Sequence, residues 1–228
     1  MKLSKAIKIS KLVLFIQLLI VAGFAGACAS SETEEPDLCN DGGALFSDEF
    51  DGVVDCEWQL YSGRGVSEVI ENGVLRIETN QPGLIGWTLA GQEIDDVIIT
   101  TRAYQVEGPD DNAFGIICRY QNPDNYYVFL ISSDGHYAIG KFQSGNDGIE
   151  YLTGEGLYTP SDVINTGQAV NDLQASCVGN QLSLSVNGVP VDSVTDPTFV
   201  IGDIGLGAST FQPGTAIIEF DHFRALAP

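Results

Sequence analysis

From Ala44 onward the chain breaks into short segments of alternating or β-branched apolar residues, each closed by Gly, Asn, Asp or Pro, and no window keeps a helical period between caps. That pattern constrains the fold to antiparallel sheet, because each segment has one face to bury and is too short to bury it alone. Asn72-Gly73 separates residues 66–70 from 74–78, and Asn187-Gly188 separates 182–186 from 189–191. Both predict two-residue hairpins, since a primed turn needs positive φ at its two central positions. Asp134-Gly135 predicts a third. Further strands are expected at 56–61, 84–89, 97–106, 114–120, 126–132, 136–142, 173–178, 203–208 and 215–224. Residues 143–171, rich in Gly, Asn, Asp and Thr, predict loops around one or two short edge strands. About a dozen antiparallel strands with no linker between them specify a single all-β sandwich over residues 44–228, read here as a jelly roll.

The first 43 residues are of another kind. Lys2, Lys5, Lys8 and Lys11 precede an uncharged apolar run at 12–27 that is shorter than the roughly 20 residues a membrane span needs. This is a signal peptide pattern. Ala25-Gly26-Ala27-Cys28 resembles the lipobox of bacterial lipoproteins, which implies a diacylated Cys28 as the mature N-terminus, with plain secretion as the competing reading. Residues 28–43, small, polar and acidic, then read as a flexible tether on a protein exported and lipid-anchored to the bacterial cell envelope. Beyond residue 27 the chain carries 6 basic and 31 acidic groups, a formal charge of −25. Such a surface repels phosphate backbones and excludes nucleic acid as a partner; contact with a membrane is expected only through the lipid.

The cysteines are 28, 39, 56, 118 and 177, an odd number for an exported chain, and assigning Cys28 to lipid leaves four. Of three connectivities the simplest joins Cys39 to Cys56 and Cys118 to Cys177, with the second pair expected to meet on neighbouring strands. A metal site is the poorer reading, because no Cys-x-x-Cys occurs and only His136 and His222 are available.

The block from Asn112 through Phe114, Cys118, Arg119 and Tyr120 to Tyr126, Tyr127 and His136-Tyr137 resembles the centre of concanavalin A-like, laminin-G-like jelly rolls. Leu45 to Gly52 with Trp58 resembles their opening, and Ile204 to Ala208 with Phe220 to Phe223 their close. The likeness spans about residues 44–226, and the nearest relatives it suggests are bacterial domains of the 3-keto-disaccharide hydrolase family. It implies a fold that hosts lectins, sugar-binding modules and glycosidases alike, and a structural calcium ion held by Asp48 and Asp221 between the first and last strands.

Catalytic groups are harder to find. Glu93-Ile94-Asp95-Asp96 invites comparison with the Glu-x-Asp-x-x-Glu strand of laminarinase-like glucanases, yet the third acid would fall at Ile98, and retaining hydrolysis needs two carboxyls about 5 Å apart. No Gly-x-Ser-x-Gly is present. Arg119, one of six cations beyond the leader, ends an apolar strand and needs an acid partner, either a neighbouring Asp or Glu in an ion pair or a ligand carboxylate or hydroxyl pair. Tyr120, Tyr126 and Tyr127 supply aromatic surface nearby, with alternation sending Tyr126 and Tyr127 to opposite faces so that at most one joins the core. Asn112 and Asn125 flank these strands, as hydroxyl-orienting amides or as turn formers. The expected function is therefore non-catalytic binding of a glycan or glycosylated partner; the alternatives are a hydrolase or lyase acting on a 3-keto-disaccharide, and a structural envelope module. If Cys28 carries the anchor, Cys28→Ser should abolish acylation and release the protein from membranes in a lipoprotein-processing host, read by fractionation and mass spectrometry.

Overall fold

The computed structural model describes residues 39–40 and 42–228; the expected signal peptide and Cys28 lie outside them. In chain order the strands are β1 (Phe46–Asp48), β2 (Ser62–Gly63), β3 (Val66–Glu71), β4 (Val74–Thr79), β5 (Ile85–Leu89), β6 (Val97–Glu107), β7 (Asn112–Asn122) and β8 (Asn125–Ile131). They continue as β9 (His136–Phe142), β10 (Ile149–Tyr151), β11 (Thr159–Pro160), β12 (Asn171–Val178), β13 (Gln181–Val186), β14 (Val189–Thr195), β15 (Asp203–Thr210) and β16 (Ala216–Leu226). Twelve of these have five or more residues, and no helix occurs among the described residues.

Nine strands form one sheet in the order β14-β13-β12-β6-β16-β4-β3-β2, with β1 also on β16. Seven form the other in the order β10-β9-β8-β7-β15-β5, with β11 also on β9. The two antiparallel sheets face each other as a jelly-roll β-sandwich. Asn72-Gly73 and Asn187-Gly188 make the expected hairpins, all four residues lying at φ between 52° and 82°. Ser132 to His136 closes the third. The loop-rich stretch supplies two short edge strands, β10 and β11, as its composition predicts.

Residues 56–61 depart from expectation by forming no strand. Positive φ at Glu57 interrupts the extended run, and Trp58 turns inward. Its ring packs edge-on against Phe46 and Phe223, with centroids 5.7 and 5.1 Å away, while its indole N–H donates to Asp48 Oδ2 at 2.8 Å. The Cys39–Cys56 disulfide fastens the same segment, and Ser47 N–H donates to the Cys39 carbonyl at 2.7 Å.

Large apolar side chains from alternate positions of both sheets fill the interior, among them Leu75, Ile77 and Ile99 from one and Phe114, Phe129 and Leu206 from the other. Two adjacent residues of β7 bind the layers together. Cys118 is disulfide-bonded to Cys177 as expected, with Cα atoms 7.0 Å apart. The expected geometry is corrected, however: β7 and β12 lie in opposite sheets, so this bond crosses the sandwich rather than joining neighbouring strands. Closing a loop with a sequence separation of 59 stabilises a fold by about 4 kcal/mol in the chain-entropy model. Cys118→Ser should therefore lower the melting temperature by roughly 10 °C in a calorimetric scan, and peptide mapping without reduction should recover both linkages.

Candidate functional site

Alternation leaves a second set of large side chains on the face of the seven-stranded sheet that points away from the other sheet. Leu89 (β5), Ala113 and Ile117 (β7), and Tyr126, Val128 and Leu130 (β8) form a separate buried cluster there, flanked by Trp87, Tyr120, Phe142, Ile149 and Tyr158. Trp87 and Tyr120 each lie within 6.3 Å of a neighbouring tyrosine ring, and Tyr126 stacks on Phe142 at 4.6 Å and 21°. Between the rings run small residues. A Cβ on Gly207 would meet the Gly86 carbonyl and the tip of Ile117, and one on Gly140 would strike Ile149. These small positions keep the middle of the face low while aromatic rings stand at its sides.

The result is a trough of three adjoining clefts that all share Ile85. A central cleft of about 220 Å³ is lined by Ile117, Val128, Phe142, Tyr151, Tyr158 and Phe211 and carries no carboxylate. A flanking cleft of about 450 Å³ has a polar rim of Asp124, Gln143, Ser144 and Asn146. The third, about 360 Å³, opens at the edge where β2 and β3 of one sheet approach β5 of the other, and Trp87, Tyr61, Tyr120, Gln59, Arg64 and Glu68 line it.

The residues singled out from sequence distribute unevenly over this face. Tyr120 is half-buried beside Trp87 and remains in the site. Tyr126 lies under the trough and is itself buried, so it supports the surface through Phe142 rather than presenting a free ring. Tyr127 does point the opposite way, as alternation requires, and its hydroxyl donates to Asp196 Oδ1 at 2.7 Å inside the sandwich. Only Tyr127 joins the core between the sheets, but the expectation that the other ring is free for a ligand is corrected: Tyr126 is buried too, in a second apolar layer on the outer face. Asn112 is also buried, donating to Gln105, Ser133 and the Pro109 carbonyl, and orders the β6–β7 turn. Asn125 closes the β7–β8 turn with Asn122 and accepts from Ser144 N–H, at the trough's rim.

Arg119 is no ligand contact. It is 1% exposed, and its guanidinium donates to the carbonyls of Asp95 (3.1 Å), Gly179 (2.8 Å), Phe199 (2.8 Å) and Cys177 (3.3 Å) and to Asp96 Oδ1 (3.2 Å). The ion-pair reading of this residue describes the geometry. A backbone irregularity makes it so: Arg119 has φ 52° and sits in a break of register between β7 and β8, so Cys118 and Arg119 both turn inward and Tyr120 follows outward.

Asp48 and Asp221 do not converge on an ion either. Asp48 spends its two oxygens on the Phe50 N–H and the Trp58 indole, and Asp221 lies beside His222 Nδ1 and Arg102. Among the described residues no group of three or more His, Cys, Asp or Glu side chains is placed to hold a metal, so the donors present do not fit the calcium site that the resemblance implies.

Sequence reasoning passed over Trp87 and Glu68. In β5 the large residues Ile85, Trp87 and Leu89 face outward while Gly86 and Thr88 face the core, inverting the usual sense of alternation. Glu68 sits between Val66 and Ile70 on the inward side of β3, where a period of two has no place for a charge. Its Oε2 accepts from Tyr61 N–H at 2.8 Å, and the Trp87 backbone N–H also acts on the carboxylate. Burial pushes this carboxyl up to about 7 against the pull of the Tyr61 and Trp87 N–H groups. With the folded value above the ordinary 4.5, the native state holds a proton that the unfolded chain releases, so stability falls as pH rises from about 4.5 to about 7 and is level above that. This one group accounts for up to about 3 kcal/mol of that change. Denaturant midpoints measured between pH 4.5 and 8 should show the decline, and Glu68→Gln should flatten it.

No protein-family model matches the chain, and no curated protein sequence does. Among solved structures it is similar to the carbohydrate-binding module CBM66 from Bacillus subtilis, at TM-score 0.58 and 15% identity over 75% of this chain and 95% of the module. It is likewise similar to a β-glucanase of Bacillus licheniformis, at TM-score 0.57 and 10% identity over 83% of this chain and 100% of the enzyme. The catalytic domain of an endo-1,3-β-glucanase (laminarinase) from Thermotoga petrophila matches at TM-score 0.55 and 14% identity, over 80% and 96%. By architecture the chain is a concanavalin A-like jelly-roll sandwich, a fold it shares with both a sugar-binding module and glycoside hydrolases.

Proposed function

We propose that this protein is an exported, lipid-anchored glycan-binding domain that holds its ligand along the aromatic trough without cleaving it. The observation that carries the reading is the pairing of low, small residues with flanking Trp87, Tyr120 and Phe142 and a rim of Gln, Asn, Ser and Asp. A pyranose has apolar C–H faces that stack on rings and an equator of hydroxyls that amides and carboxylates bind. The shared fold with a carbohydrate-binding module supports the same reading. Two disulfides support export.

Carboxylates are sparse along these three clefts. Glu68 is the only Asp or Glu lining the edge cleft, Asp124 the only one in the flanking cleft, and the central cleft has none. Glycoside hydrolysis usually takes two carboxyls across one bond, roughly 5 to 9.5 Å apart. A fourth cleft, which shares Tyr151, Tyr158 and Phe211 with the central one, does hold two carboxylates, Asp111 and Asp134, beside His136, so the hydrolase reading suggested by resemblance to the 3-keto-disaccharide family is decided by the product assay.

Calorimetric titration with β-1,3- and β-1,4-linked gluco-hexasaccharides tests the proposal. The protein should bind at least one of them, and Trp87→Ala should weaken that binding tenfold or more, equivalent to about 1.4 kcal/mol, with little change in melting temperature. Absence of binding at millimolar concentration across these probes, or release of shorter products on incubation, would overturn it.

A further inference from the structure

The hairpin between β8 and β9 carries a side-chain arrangement that its own turn does not require. Ser132 Oγ accepts from His136 N–H at 3.2 Å and donates to Asp134 Oδ1, and the same carboxylate oxygen faces His136 Nδ1 at 2.9 Å. A carboxylate only accepts, so Nδ1 carries the hydrogen and the ring is held in one orientation. The backbone closes the turn without the imidazole, through Ser132 N–H on the His136 carbonyl at 2.8 Å and Gly135 N–H on the Ser132 carbonyl at 3.0 Å. The other ring nitrogen is left over. Nε2 makes no hydrogen bond among the described residues, and the side chain is 37% exposed, so this nitrogen is open to a partner from solvent.

His136 lines the fourth cleft, about 420 Å³, with Asp111, Asp134, Leu157, Tyr158 and Phe211 around it. Two of these are large apolar side chains left in water, Leu157 at 68% and Phe211 at 38% exposure. Phe211 is nonetheless braced. Its ring packs edge-on against Tyr158 at 5.8 Å and its N–H donates to the Asp111 carbonyl at 3.1 Å, while Gln212 Nε2 donates to Asp111 Oδ2 at 3.0 Å. The second oxygen of Asp111 has no such donor. The Tyr158 phenol is pushed well above its usual range by burial first, then by Tyr151, then by the charges of Asp134 and Asp111, so both carboxylates bear on this ring. An exposed ring beside an oriented imidazole and a carboxylate repeats, at the far end, the pairing of apolar face and polar edge found at Trp87. Because the fourth cleft shares Tyr151, Tyr158 and Phe211 with the central one, a chain lying in the trough reaches it without leaving the surface.

We infer that the fourth cleft is an end subsite of the trough, in which His136 Nε2 hydrogen-bonds a hydroxyl of a non-anionic sugar unit resting on Phe211. The inference rests on the glycan-binding reading and adds to it a specificity-determining residue. A hydroxyl suits this nitrogen in either protonation state, because it donates to a neutral imidazole and accepts from an imidazolium. Asp134 is the positioning residue that aims the ring. A uronic acid is disfavoured there, since Asp111 and Asp134 line the cleft, no Lys or Arg does, and the molecule around it is strongly acidic.

The test is NMR and calorimetric titration with the same neutral gluco-hexasaccharides and with hexagalacturonate. The chain has two histidines, and His222 lies on the nine-stranded sheet, so one imidazole probes the cleft and the other is a control. At saturation with a neutral probe the His136 Cε1–H resonance should shift and that of His222 should not, with His222→Gln assigning the pair. His136→Phe, which keeps a ring and removes both nitrogens, should bind the probe at least fivefold more weakly. Hexagalacturonate should bind wild type at least tenfold more weakly than the neutral probe does. An unmoved His136 resonance, or a shift matched by His222, decides against the subsite even if His136→Phe does not fold. A loss below fivefold, or hexagalacturonate binding within tenfold of the neutral probe, also overturns it, and each of these results leaves the rest of the trough standing. Release of shorter products that stops in His136→Phe would overturn it in favour of a catalytic role. Failure of every neutral probe to bind wild type would overturn both the subsite and the glycan-binding reading.

Discussion

Two adjacent residues of β7, a cystine and a buried guanidinium, both cross the gap between the two sheets and tie them together. The Arg119 charge is taken out of water and repaid by four carbonyls and one carboxylate, drawn from the approach to β6, the end of β12 and the loop before β15. Truncating one partner of such a group typically costs about 3 to 5 kcal/mol, because the remaining polar atoms stay buried and unpaired. Gly202 is part of the same arrangement. Any Cβ there would lie 2.5 Å from the Arg119 carbonyl carbon, so the chain can pass this point only without a side chain.

That construction has a direct effect on the opposite face. Turning Cys118 and Arg119 inward together costs β7 one step of its alternation, and the next residue, Tyr120, emerges beside Trp87 instead of continuing the buried row. The bolt through the sandwich and the aromatic surface on its outside are thus two results of one bulge. Packing against the buried layer beneath holds the outer rings at defined positions.

Much of the fold was legible from period and turn chemistry. The Asn-Gly turns demanded positive φ and obtained it, and the simplest of the three connectivities that parity left open is the one formed. The sheet to which each strand belongs was not legible, since alternation states that a face is buried without stating against what; Cys118 and Cys177 therefore read as neighbours when they lie across the core. The site was hidden for a related reason. Ile85, Trp87 and Leu89 carry a core-like pattern on a strand whose core side is Gly86 and Thr88, and only the small residues at Gly205 and Gly207 on the partner strand β15 reveal the outward direction. Arg119 drew attention as a rare cation, but a rare charge in an apolar strand is as well suited to satisfying carbonyls as to holding a sugar.

The chain contains two tryptophans, and the fold assigns them to different places. Trp58 is enclosed by Phe46, Phe50 and Phe223 with its N–H committed to a carboxylate, whereas Trp87 is half-buried in the trough wall. Their surroundings differ accordingly: the enclosed indole senses only the core around it, and the partly wetted one also the cleft it lines. A collisional quencher in solution should therefore reach Trp87 more readily than Trp58, which distinguishes the two indoles in one sample without any label.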